Sequence, residues 1–95
     1  MANEFSGKDM NKILFVNLVM MFSTTAMQQL GKLVNPMTGK TEVDLRGAQA
    51  SIDILDMLAE KTRGNLDQEE GRLLKDAIAS LQMNNVETAE SVPTT

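Results

Sequence analysis

A long run without charge is the feature that most constrains this chain. Between Lys12 and Lys32 no Asp, Glu, Lys or Arg occurs, and the first ten positions of the run, 13–22, contain one polar side chain. A chain of 95 residues has one core of marginal size, so it does not easily bury that much contiguous apolar surface. Large exposed apolar patches mark interaction sites. The run therefore predicts a partner.

The polar residues inside this run recur at helical spacing. Asn17, Thr24 and Gln28 project onto one strip of a helix. The pattern predicts a helix over about 10–34, with Asp9 as its N-cap. A buried strand competes with it because Val, Ile and Phe favour strands, but no second strand-like run exists to pair with it. The apolar stripe predicted to cover the rest of the protein consists of Phe15, Val16, Val19, Met20, Ala26, Met27, Leu30, Leu33 and Val34.

The N-terminal half of the predicted helix carries a second apolar flank. Leu14, Leu18 and Met21 form this flank, whereas the corresponding positions further along are polar or charged. A helix that is apolar almost all round is buried on several sides or inserted into a partner. We therefore expect a homo-oligomer, a dimer or higher, with an unidentified protein partner as the alternative. The predicted interface residues are Leu14, Leu18, Met21, Phe22 and Phe15.

The charge-free run approaches the length of a transmembrane helix. Polar residues interrupt it and leave a core of ten residues, so we do not expect a membrane span. A signal peptide would use Lys8 and Lys12 as its positive flank, but Glu4 and Asp9 cancel that charge and cleavage would remove most of the core. The sequence thus predicts a cytoplasmic protein. Peripheral membrane association stays open, although the polar strip lacks the usual Lys and Arg.

A loop and a second helix follow. Residues 35–44 contain Pro and Gly, which predict a loop. Asp44 is the predicted N-cap of a helix over about 45–62, and Gly64 ends it. The apolar stripe of this helix, spaced close to a heptad pattern, consists of Leu45, Ala48, Ile52, Leu55 and Ala59.

The third helix is predicted over about 67–84. Asp67 and Glu70 have the spacing of a capping box, with Asp in the usual Ser or Thr position. The connection over 63–66 is short, so the last two helices form an antiparallel hairpin. The apolar face of the third helix consists of Leu73, Leu74, Ala77, Ile78 and Leu81.

These elements predict an all-α protein with one domain over 9–86. In it a long N-terminal helix packs on the antiparallel hairpin, and oligomerisation completes the core. Residues 1–8 and 87–95 are predicted to be a disordered lead-in and tail, because their composition is polar.

Composition excludes most catalytic chemistry. The chain has no Cys and no His, so it lacks thiolate ligands, the commonest metal ligand and the commonest general base. We expect no enzyme, no catalytic or metal site and no cofactor. The net charge of −4, without a basic cluster or aromatic platforms, disfavours nucleic acid as a partner.

Two patterns suggest ligand sites but are incomplete. Gly39-Lys40-Thr41 matches the end of a phosphate-binding loop, but the Gly required five positions earlier is Val34. Asp53, Asp56 and Glu60 share one face of the second helix and could hold a hard cation. They lack a fourth ligand, so we interpret them as a solvated face and keep a cation site built across subunits as an alternative.

The order of these signals resembles a known family. An apolar helix ending in A-M-Q-Q-L-G (26–31) is followed by N-P-M-T-G-K-T-E-V-D-L (35–45), I-D-I-L-D-M-L (52–58) and E-K-T-R-G-N-L (60–66). Over about 15–87 this is similar to an uncharacterised bacterial family known as a domain of unknown function (number 1844). The resemblance implies a short α-helical protein without an assigned activity. The chain departs from it at Asn84-Asn85, where relatives tend to carry an aromatic or basic pair.

Overall fold

The computed structural model describes residues 7–91, and it contains three helices. They are α1 (Gly7–Gln29), α2 (Leu45–Lys61) and α3 (Gln68–Ser91). Within the described residues the extended pairing consists of isolated β-bridges in the loop after α1. The prediction of an all-α protein is confirmed.

Contacts at the helix ends define how the three helices run. Gln49 in α2 accepts a hydrogen bond from Asn85 in α3 at 2.8 Å, so these helices form the antiparallel hairpin that was predicted. The side chains of Gln29, at the end of α1, and Ser51, near the start of α2, lie 2.7 Å apart. The helix α1 therefore runs antiparallel to α2 and parallel to α3.

Heptad-spaced residues from all three helices form the core. On α2 the buried residues recur at spacings of four and three, and on α3 at a spacing of seven, so that each helix presents one continuous apolar side. Phe15 and Phe22 of α1 pack against this core from its edge. The buried apolar residues are Val19, Ala26, Leu30, Ala48, Ile52, Leu55, Leu74 and Leu81.

Both predicted capping arrangements are present. The Asp44 carboxylate accepts a hydrogen bond from the backbone N–H of Gly47 at 3.0 Å. At the start of α3 the bonds are reciprocal: the N–H of Glu70 donates to Asp67 at 2.7 Å, and the N–H of Asp67 donates to Glu70 at 2.9 Å. These bonds satisfy backbone N–H groups that would otherwise have no partner in the first helical turn.

The first helix ends at Gln29 and does not continue to position 34 as predicted. Gly31 adopts a φ of 77°, and the backbone N–H of Asp44 donates to the carbonyl of Gln29 at 2.6 Å. The chain therefore leaves the helix and pairs with the segment before α2. As a consequence Leu33 and Val34 lie exposed in the loop, which corrects their assignment to the covering stripe.

The other helix ends also differ from the predicted ones. The helix α1 begins at Gly7, so Asp9 lies in its first turn instead of capping it. The helix α3 continues to Ser91, beyond the predicted end near position 84 and into the predicted tail, and buries Thr88. The remainder of the predicted lead-in and tail, 1–6 and 92–95, lies outside the described residues.

Candidate interaction face

The side of α1 that points away from α2 and α3 is largely apolar. Among its large side chains, Ile13 is 39% exposed, Leu14 57%, Met20 52% and Met21 65%. Asn17 and Thr24 are exposed between them. We define the outward face of α1 as Met10, Ile13, Leu14, Asn17, Met20, Met21 and Thr24.

The structure divides the predicted interface residues between two environments. Leu14 and Met21 lie on the outward face, and Leu18 is half-buried beside it. Phe15 and Phe22 are partly buried and pack against the intrachain core, so their place in an intermolecular interface stays a prediction. Their rings lie closer to Val19 and Ala26 around the helix than to Leu14, and this side of α1 faces the hairpin.

Met20 lies at the edge between the outward face and the hairpin, where it lines a concavity with Leu73 and Leu81 of α3. Ile13 was not assigned to the interface by the sequence pattern. Met20 was expected to cover the hairpin, but more than half of it is exposed. The polar strip has large apolar residues on both sides, so a helical projection alone leaves open which of them the hairpin covers. The sequence signal for this face consists of two apolar pairs at equal distances from Asn17. Ile13 and Leu14 stand four and three positions before it, and Met20 and Met21 stand three and four positions after it.

A shallow depression of about 460 Å³ opens on the C-terminal part of the outward face. Asn17, Met20, Met21 and Thr24 line it, together with Thr25 and Gln28. The first four have the i, i+3, i+4, i+7 spacing of a hole that receives one side chain of a neighbouring helix. The depression can therefore accept a knob from another helix.

The charge of Lys12 is directed away from this face. Lys12 is the only charged residue between Asp9 and Lys32 in the sequence. Its ammonium group bonds to the carboxylate of Glu69 and lies 3.0 Å from that of Asp67, at the start of α3. These bonds, first that to Glu69 and then that to Asp67, raise the pKa of Lys12 above its ordinary value of 10.5. The outward face is left without a charged side chain.

The same contact affects Asp67. Its pKa lies below the ordinary value of 3.8, chiefly because the backbone N–H of Glu70 bonds to the carboxylate and secondly because Lys12 does. Both donors favour the ionised form. The ion pair thus joins the start of α1 to the start of α3, next to the capping box.

A polar link holds the other end of α1 against α2. With its side-chain amide nitrogen toward α2, Gln29 donates to Ser51 Oγ at 2.7 Å and to the Gly47 carbonyl at 3.0 Å. A Cβ atom at Gly47 would lie 2.5 Å from the Asp44 carboxylate and from the Gln29 amide. A larger residue at position 47 would therefore require these two side-chain ends to shift.

The acidic residues of α2 bond to groups of their own chain. Asp53 accepts from Gln49 at 2.9 Å, and Glu60 accepts from Arg63 at 2.7 Å. Asp56 accepts a long bond from Gln82. Over residues 7–91 no three acidic side chains are grouped so that they could hold a metal ion.

A second concavity, of about 510 Å³, lies between α2 and α3. Leu66, Leu74 and Ile78 contribute apolar surface, and Arg63 and Lys75 are among its charged residues. Its lining mixes cations, the carboxylate of Asp56 and apolar groups. Its chemistry points to no particular ligand.

By length and composition α1 could cross a membrane. This property is shared by many core helices of soluble proteins and by signal sequences, so it distinguishes little by itself. What distinguishes α1 is that its apolar residues are divided between a buried side and the exposed outward face.

A family model described as "Domain of unknown function (DUF1844)" matches residues 12–87, which include most of α1 and all of α2. No curated protein and no solved structure matches the chain.

Proposed function

The chain belongs to the family of domains of unknown function DUF1844, and from this premise we propose that it is a non-catalytic interaction module that self-associates through the outward face of α1. The module would act by presenting or assembling chains. Cytoplasmic location is part of the proposal.

The observation that carries the proposal is the exposed, charge-free outward face. Leu14, Met20 and Met21 each expose more than half of their surface on one side of one helix. Fully burying a side chain of this kind stabilises by about 1.5–3 kcal/mol, so a partner that covers several of them gains substantially. Monomeric proteins rarely leave such side chains contiguous.

The chemistry of the remaining surface supports a non-catalytic role. The sequence has no His or Cys. The carboxylates of Asp53 and Glu60 accept hydrogen bonds from neighbours within α2 or its C-terminal turn, as expected of a solvated helical surface. The depression on the outward face is lined by amide, hydroxyl and apolar side chains, without a carboxylate or an amine.

The first test measures mass in solution. Light scattering at micromolar concentration should give at least twice the chain mass of 10.4 kDa. Met21→Glu should reduce the mass to that of one chain, because burying the new carboxylate in an apolar interface is costly. Met83→Glu is the matched control, since Met83 on α3 is also 65% exposed and the change in charge is the same.

The outcomes are distinct. A dimer or larger species that is dissociated by Met21→Glu and kept by Met83→Glu supports the proposal. A parent protein that is monomeric throughout the micromolar range overturns it. Equal effects of the two variants would show that net charge, and not the outward face, controls assembly.

Peripheral membrane association is the second candidate, and the long apolar α1 favours it. Helices that lie in a membrane surface usually carry Lys or Arg beside the apolar face, whereas the described outward face has none. We expect no flotation with vesicles of neutral or anionic phospholipids. Flotation that Met21→Glu abolishes would favour the membrane over self-association.

A further inference from the structure

We infer that two copies of this chain pack their α1 helices antiparallel about a two-fold axis at Asn17, with Leu14 of each copy seated in the depression on the other. This inference rests on the proposed self-association. It adds which residues meet and what sets their register.

The first argument is the symmetry of the outward face about Asn17. Leu14 and Ile13 stand three and four positions before it, and Met20 and Met21 stand three and four positions after it. All of these apolar residues are exposed. A two-fold axis at Asn17 brings residues equally distant from it, on opposite sides, to the same level, so apolar side chains meet apolar side chains.

The second argument is the position of the depression. The hole formed by Asn17, Met20, Met21 and Thr24 occupies the N-terminal end of this depression, and its middle lies between Met20 and Met21, about 5 Å along the helix from Asn17 at a rise of about 1.5 Å per residue. In the antiparallel pair, Leu14 of the other copy lies about 4.5 Å from the two-fold axis, measured along the helix and on the same side of the axis as the hole. Leu14 is therefore the knob for this hole. A parallel pair would instead place the methionine walls of the two depressions against each other.

The third argument concerns the occupant. The outward face carries no charge, so two copies do not repel each other and a charged partner would find no counter-charge on it. An amide both donates and accepts, so the two Asn17 side chains can pair with each other at the axis. A shifted register would bury Asn17 against apolar groups, which is how one core Asn fixes register in paired helices.

Single cysteines test the arrangement directly, because the natural chain has none. Leu14→Cys with an affinity tag is refolded together with untagged Met20→Cys and oxidised with glutathione. In the antiparallel pair these positions lie at the same level. The two copies of position 14 lie on separate helices and are about 9 Å apart along the direction of the helices. This separation exceeds the reach of a disulfide. We expect the mixed disulfide to exceed both same-residue disulfides.

The failure of the arrangement and the failure of self-association give different results. A Leu14→Cys same-residue disulfide as the main product, or no disulfide in chains that still have a dimer mass, overturns the antiparallel arrangement alone. The proposed function is overturned as well if the reduced cysteine variants have the mass of one chain. A monomeric parent has the same consequence.

A charge at the axis gives a second test. Asn17→Asp places two carboxylates opposite each other and should raise the dimer dissociation constant at least about tenfold, measured by sedimentation. Asn11→Asp is the matched control on the same helix, exposed but outside the outward face, and should change the constant less than about threefold. Equal effects of the two changes would overturn a dyad at Asn17. Circular dichroism checks that both variants stay helical.

Discussion

The helices α1 and α2 pack against each other, yet their solvent-facing sides differ. On α2 that side is mainly polar, and Gln49, Asp53 and Glu60 there bond to neighbouring side chains, with Met57 as an apolar exception. On α1 the solvent-facing side is the outward face, with Leu14 and Met21 as its most exposed apolar residues among those described. Apart from Met57, the large apolar residues of α2 are covered within one chain, whereas several of those on α1 are exposed.

This difference supports the role that we propose for the exposed apolar residues of α1. A helix that needs only its own chain divides cleanly into an apolar and a polar side, as α2 does. On α1 the side toward the core holds Val19 and Ala26, and this side is already sufficient to pack on the hairpin. The additional apolar residues therefore contribute little to the fold of one chain, and we assign them to association.

The largest expected effect contrasts the same residue type on the two helices. Ile52 of α2 is fully buried, so Ile52→Ala should lower the free energy of unfolding by about 2–5 kcal/mol. Ile13 on the outward face is partly exposed, so Ile13→Ala should cost less than half as much in dilute protein. Urea denaturation followed by circular dichroism measures both changes.

Protein concentration separates the two residues further. If Ile13 lies in an interface, the destabilisation by Ile13→Ala should grow as concentration is raised from submicromolar to high micromolar, since association stabilises the folded state by mass action. The effect of Ile52→Ala should stay the same over that range. Identical concentration dependence for both variants would remove the distinction between core and outward face.

The next effect concerns how closely α1 and α2 approach. In Gly47→Ala the new methyl group displaces the Asp44 carboxylate and the Gln29 amide, which weakens a cap and the link between the helices. Each interaction is worth about 1 kcal/mol, and Ala regains about 0.5–1 kcal/mol by its helix propensity, so the net loss should be about 1 kcal/mol.

A matched glycine gives the opposite sign. Gly71 lies in α3, and a Cβ atom added there would meet no other part of the described chain within 4 Å, so Gly71→Ala should stabilise by about 0.5–1 kcal/mol. Thermal unfolding of the two variants measures the difference. Stabilisation by both changes would show that α1 does not need the close approach at position 47.

Local signals explain which parts of this fold could be predicted. The caps at Asp44 and at Asp67 with Glu70 depend on neighbouring residues, so the sequence was sufficient for them, and the structure confirms both. The end of α1 has a local signal in Gly31, whose φ is 77°, but the bond between Gln29 and Asp44 that pairs the end of α1 with the segment before α2 is long-range. Likewise, the polar tail composition did not reveal that α3 continues and buries Thr88.

The candidate site was predicted in part for a related reason. The excess of apolar surface on the N-terminal half of α1 is a property of the sequence, and Leu14 and Met21 followed from it. Which apolar flank faces the hairpin is decided by packing, so the sequence did not show that Phe15 and Phe22 pack against the core. Ile13 was not assigned to the interface for the same reason.

The smallest expected effect concerns the ion pair that turns the charge of Lys12 away from the outward face. The pKa of Asp67 is lowered in the folded state, so its contribution to stability is present above the ordinary pKa of 3.8 and is lost as pH falls through the folded value. The melting temperature of the parent should therefore fall more steeply below about pH 4 than that of Asp67→Asn, and the two should converge at lower pH. Asn still caps the helix, so the difference at neutral pH should be small.

Lys12→Gln should reduce the difference between parent and Asp67→Asn, because Lys12 is the second cause of the lowered pKa after the Glu70 N–H. An equally steep acid transition in parent and Asp67→Asn would contradict a stabilising role for this carboxylate, and the charge-free character of the outward face would then have to be explained without the ion pair.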